Sequence, residues 1–159
     1  MHAIRRFTGA LAALFVAACG GGGVAPDGVY LTLSVSTGDV AVETAINGKP
    51  SEFFSGKSGN MASGGPINAQ VKEGENEITF AVSRAEDVGE EFEPWILASL
   101  EVMLAGEVVD TLAPGDRVIF SRELSEDEAA KLEGGETVVI AEKFTISRER
   151  LEAMKSAAE

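Results

Sequence analysis

The chain has little with which to do chemistry at neutral pH. Among 159 residues there is one cysteine, Cys19, and one histidine, His2. Beyond residue 19 there is neither imidazole nor thiol. That removes Ser-His-Asp and Cys-His hydrolases, zinc sites built on His or Cys, internal disulfides, and most proton shuttling near pH 7. No P-loop or dinucleotide fingerprint is present, because Gly20 to Gly23 follow an apolar segment and not a strand that opens onto a helix. The reading implies no cofactor and no metal. Basic residues are scarce, with 13 Lys+Arg against 26 Asp+Glu. A field of that sign repels phosphate backbones and anionic lipid headgroups, so it argues against nucleic-acid binding.

What is present begins at the N-terminus. Arg5 and Arg6 precede an apolar stretch from Leu11 to Ala17, and small residues lead up to Cys19. This is the layout of a secretory signal. The apolar run falls well short of the ~20 residues that span a bilayer. The order Val16-Ala17-Ala18-Cys19 resembles the lipobox of bacterial lipoprotein precursors. The resemblance implies cleavage between Ala18 and Cys19. It also implies a diacylglyceryl thioether on Cys19, usually with an amide-linked third chain. An ordinary signal followed by a chance cysteine is the other reading of the same residues.

Each buried methylene contributes about 0.8 kcal/mol, and stable attachment takes two chains or signals, a requirement that one lipidated cysteine meets. Gly20, directly after it, resembles the default for outer-membrane sorting if the organism has two membranes. Residues 20–27 are Gly-rich at their start and read as a flexible tether. The expected organisation is therefore a signal over 1–18, a lipidated Cys and tether over 19–27, and one folded domain over 28–159. Loss of Arg5 and Arg6 leaves 11 basic residues against all 26 acids, a net charge near −15.

Residues 28–159 match the modal size of one domain. Val29, Leu31, Leu33 and Val35 alternate with Tyr30, Thr32 and Ser34, the signature of a half-buried strand. Val40 to Ile46 alternate likewise, and Thr37-Gly38-Asp39 between them predicts a hairpin. Asn47-Gly48 predicts a second turn, since both residues tolerate positive φ. Glu52-Phe53-Phe54 suggests a short strand, and the Gly- and Ser-rich residues 55–65 an exposed loop. Further strands are expected around Ile78–Val82, Ile96–Leu104, Arg117–Arg122 and Thr137–Ile146. In the second of these, Ile96, Ala98, Leu100 and Val102 share one face. Repeated short strands between turns predict a mainly β fold, an antiparallel β-sandwich of Ig-like or jelly-roll-like type with one or two short peripheral helices.

Three segments share one turn pattern, aliphatic–two spacers–Gly–acid–strand, beginning at Val71, Leu112 and Leu132. The first, from Val71 to Val82, resembles the turn-into-strand segment of immunoglobulin-like and jelly-roll modules in exported bacterial proteins. The resemblance implies that Asn76 braces the turn. Ser125-Glu126-Asp127-Glu128 has the form of a capping box opening a helix that Gly134-Gly135 stops. Ser147 is placed to cap a second, with Leu151 and Met154 on one side.

Two constellations bear on function. Glu86, Asp87, Glu90, Glu91 and Glu93 could gather oxygen ligands for Ca²⁺, but the run lacks Asp-x-Asp spacing and a terminal bidentate Glu. A solvated connection is the simpler account. Phe53, Phe54 and Trp95 could line a ligand face, or they could pack in the core as aromatics commonly do. The favoured expectation is a non-enzymatic interaction or assembly module, exported and held on the cell membrane through its lipid. Its partner would be an envelope protein or a glycan. A carbohydrate-binding lipoprotein is the alternative, and a hydrolase using two carboxylates is a third reading.

Overall fold

The computed structural model describes residues 23–104 and 117–158. Two antiparallel four-stranded sheets enclose one core. The strands are β1 (Val29–Gly38), β2 (Val40–Ile46), β3 (Lys49–Pro50), β4 (Asn60–Pro66), β5 (Gly74–Arg84), β6 (Trp95–Leu104), β7 (Val118–Glu123) and β8 (Val138–Ile146). One sheet has the order β4-β1-β6-β7 and the other β3-β2-β5-β8. Two helices complete the described elements, α1 (Glu126–Glu133) and α2 (Arg148–Ala158).

Period-two alternation builds the core. The β1 residues Val29, Leu31, Leu33 and Val35 are fully buried, as are Val40, Val42 and Ile46 on β2. Ile78, Phe80 and Val82 on β5 and Ile96, Ala98, Leu100 and Val102 on β6 complete the two inward faces. Each fully buried aliphatic or aromatic side chain contributes roughly 1.5–3 kcal/mol. Packing between the two faces, with no disulfide, holds the sandwich together.

The chain between β1 and β2 is not a hairpin. Gly38 pairs with Asn60 and Trp95, whereas Val40 pairs with Arg84 in the opposite sheet. Asp39 adopts positive φ (61°) at this corner and turns the chain from one sheet to the other. Turn chemistry alone does not distinguish a hairpin from a crossing, since both demand the same local bend. Asn47 (φ 50°) and Gly48 (φ 75°) do form the expected tight β2–β3 turn.

Two further expectations are corrected. Glu52–Phe54 is a single 3-10 turn and not a strand. Residues 60–65, expected within an exposed loop, form β4 with Pro66 along the free side of β1. An edge strand needs only one covered row, and neighbouring segments supply the cover here. The ring of Phe53 lies over Gly65, and Met61 occupies the space beside Gly56. Small residues with no apolar alternation thus still find a place in the sheet.

Asn76 braces its turn as the resemblance implied. Its Nδ2 donates to the carbonyls of Lys72 (2.8 Å) and Gly74 (2.9 Å), and its Oδ1 accepts from Lys72 N–H (2.9 Å). Ser125 opens α1 with a complete capping box, and Gly135 (φ 81°) follows its end. The last helix is more firmly tied than a fraying tail. Leu151 is buried, Met154 packs against the core, and Lys155 Nζ donates to the Asp27 carbonyl at 2.9 Å.

Candidate functional site

The sandwich has two poles about 30 Å apart, judged from ten extended residues of β1. The first gathers Asp27, the start of β1, Leu104, Gly74, Ile146 and α2. The second gathers Gly38, Trp95, Arg84, Val138, Glu123 and the start of α1.

Cys19 and Ala18 lie outside the described residues. The three candidate aromatics are not brought together. Phe54 is a core residue at 1% exposure, fixed where the Thr44 hydroxyl donates to its carbonyl. Phe53 meets it edge-on at 4.9 Å but is itself 63% exposed, on the edge beside Gly65. Trp95 stands on the outer face of the other strand run, its indole covering Gly38 so closely that a β-carbon there would collide with the ring. Gly38 pairs with Asn60, five residues up β4 from Gly65, so Phe53 and Trp95 are separated by roughly 17 Å of strand. A single aromatic platform for a sugar ring is therefore not formed by these residues.

Trp95 has a different companion. Leu97 follows it on the same outward face, and the two are 48% and 45% exposed. Their β1 neighbours are Gly38 and Ser36, with Asn60 and Ala62 beyond, so no large side chain covers them from that side. On the other side Leu97 pairs with Glu123 of β7. Between β6, the end of β7 and α1 runs a groove of about 390 Å³. Pro94, Trp95, Leu97, Leu124 and Ala129 supply apolar wall, and Glu123, Ser125 and Glu126 the polar rim. A second cleft of about 880 Å³ lies at the opposite pole, beside Gly23, where the described residues begin.

The acids of the second pole have distinct tasks. Asp87 Oδ1 accepts from Gly59 N–H (2.8 Å) and Asp39 Oδ2 from Glu93 N–H (2.9 Å), which pins the segment between β5 and β6. Arg84 lies 4.5 Å above the Phe92 ring and donates to the Gly89 carbonyl. These bonds turn carboxylate oxygens toward backbone amides. Among the described residues no three acids converge as a cation cage would require.

Two carboxylates share one partner, at the side where β7 faces β8. Arg122 points inward from β7 and bridges Glu128 (2.5 Å) and Glu142 (3.1 Å). Partial burial pushes the Glu128 carboxyl upward, but the Ser125 backbone N–H, the Arg122 guanidinium and the Ser125 side chain outweigh it. They hold Glu128 below its ordinary value of 4.5. A glycosidase acid needs the opposite shift, so that it keeps a proton at neutral pH. This pair therefore closes an edge: inward charge on edge strands discourages pairing with another chain.

The Trp95–Leu97 pair was legible in the sequence, though not singled out by it. Both share the strand face of Ser99 and Glu101, opposite Ile96 and Ala98, where a large apolar residue has no core to enter. Comparison with protein-family models, with curated proteins and with solved structures finds no match for this chain.

Proposed function

We propose that this chain is a lipid-anchored cell-envelope protein whose β-sandwich is a non-enzymatic interaction module. The observation that carries the reading is the N-terminal run: Arg5-Arg6, the apolar residues Leu11 to Ala17, and Val16-Ala17-Ala18-Cys19. Cys19 becomes the acylated N-terminus, and residues 20–27 link it to the domain, with Val24 and Ala25 already packing against the core. The pole at Asp27 then faces the lipid and the groove at Trp95 faces away from it. The mature charge near −15 keeps the domain off anionic headgroups, so the acyl chains alone hold it there.

Metabolic labelling with palmitate tests the anchor. The wild-type chain takes up label and fractionates with membranes, and Cys19→Ser does neither. Equal labelling of both, or of neither, contradicts the reading.

A further inference from the structure

We propose that the groove between β6 and α1 docks a basic segment of a partner protein. One apolar side chain of the segment rests on Trp95 and Leu97, and flanking Lys or Arg side chains meet Glu123 and Glu126. The inference rests on the reading of the domain as an interaction module and names the chemistry of its partner.

Three features carry it. Trp95 and Leu97 form a two-residue apolar step at nearly half exposure, and Leu124, Pro94 and Ala129 extend it into a groove. Exposed apolar surface rimmed by polar groups is the usual mark of a contact site, and tryptophan is among the residues that dominate binding energy.

The rim carries one sign of charge. Among the described residues no Lys or Arg lines the groove, and its ionisable residues are Glu123 and Glu126. Arg122, next to Glu123, is already committed to Glu128 and Glu142. An incoming cation therefore meets the Glu123 and Glu126 carboxylates and the face of an indole, whose quadrupole attracts cations. A second copy of this chain would bring another net charge near −15 to the same place, which opposes self-association.

The third feature is position. The groove lies at the pole remote from Asp27, where a domain tethered through residues 20–27 presents it outward.

Trp95 is the sole tryptophan of the chain, so its emission reports on the groove alone. The full chain in nonionic detergent is titrated with a blocked pentapeptide alternating lysine and leucine. Control peptides replace every lysine by glutamate, or every leucine by serine. The expected result is a saturable shift of emission to shorter wavelength with the lysine–leucine peptide and none with either control. Glu123→Gln with Glu126→Gln should weaken the binding about fivefold, which is about 1 kcal/mol for the two rim charges together. Leu97→Ser should abolish saturation while the far-UV spectrum stays unchanged. Raising salt should weaken binding, as it does for exposed charge pairs.

Equal shifts with the lysine and glutamate peptides, or binding indifferent to the two Glu→Gln changes, overturn the inference. So does a concentration-dependent dimer that Leu97→Ser dissolves, or a salt-insensitive shift with a neutral oligosaccharide in place of the peptide. Palmitate labelling reads the anchor separately. A labelled chain that ignores the peptide sinks this inference alone, and an unlabelled chain that binds it sinks the anchor alone.

Discussion

Replacing Asn76 by alanine should lower stability more than almost any other polar change in the domain. Asn76 is 3% exposed and faces inward from β5, opposite Phe144. Its side chain makes four hydrogen bonds: two donated to the Lys72 and Gly74 carbonyls, and two accepted from Lys72 N–H and Asn47 Nδ2. Asn47 in turn accepts from Glu77 N–H at 3.0 Å and donates to the Gln70 carbonyl at 2.9 Å. Asn76 therefore joins the turn before β5 to the β2–β3 turn. Each bond contributes about 1 kcal/mol, and more where its loss leaves a buried group unpaired. Lys72 is exposed and water recovers part of the loss, so Asn76→Ala should cost about 2–4 kcal/mol. For a domain of this size that lowers Tm by roughly 10 °C. Asn76→Asp keeps the two acceptor bonds but sets a carboxylate against two carbonyls, so it should fare no better than alanine. Thermal denaturation followed by circular dichroism reads all three proteins. A drop below about 2 °C for alanine, or an aspartate variant as stable as wild type, would refute the reasoning.

The Arg122 bridge gives a second test. Arg122→Ala leaves Glu128 and Glu142 without their shared cation, and should cost about 1–2 kcal/mol, less than a fully buried pair because water reaches both acids. Urea denaturation measures it, and an unchanged midpoint would contradict the assignment. The same bridge has a pH signature. The Glu128 carboxyl lies lower in the folded chain than in the unfolded one, so its stabilisation is present above the ordinary value of 4.5 and is lost as pH falls through the folded one. The stability gap between wild type and Glu128→Gln should accordingly close on acidification; a gap that widens below pH 4.5 would be the wrong sign. For calcium, Asp87 and Asp39 are engaged with backbone amides, so calorimetric titration should find no saturable binding tighter than millimolar. Micromolar binding lost on Asp87→Asn and Glu90→Gln would overturn this.

How far the sequence reveals this molecule depends on how each element is stabilised. Strands β1, β2, β5, β6 and β8 carry their own alternation, and most of their buried apolar residues follow from it, whereas buried Thr37 and Asn76 read as turn residues. The capping box at Ser125 and the turn at Asn47-Gly48 are equally local, and both are found. What escapes is decided by neighbours. β4 is held by hydrogen bonds to β1 and covered by Phe53, neither of which leaves a trace in Asn60–Pro66 itself. The Gly38-Asp39 bend looks the same whether β2 returns beside β1 or crosses to the other sheet. The groove follows the same rule. Trp95 and Leu97 could be assigned to the outer face of β6 by parity, but α1 and Glu126 reach them only through the fold.

The central claim is that Cys19 is the acylated N-terminus of the mature protein. The intact mass of the chain purified from membranes tests it most directly. The account predicts a chain that begins at Cys19 and carries the added mass of a diacylglyceryl group, with or without a third acyl chain, and that loses the ester-linked fatty acids on mild alkaline hydrolysis. A mass equal to the uncleaved chain from Met1, or to a chain cleaved near residue 18 with no added lipid, would contradict it.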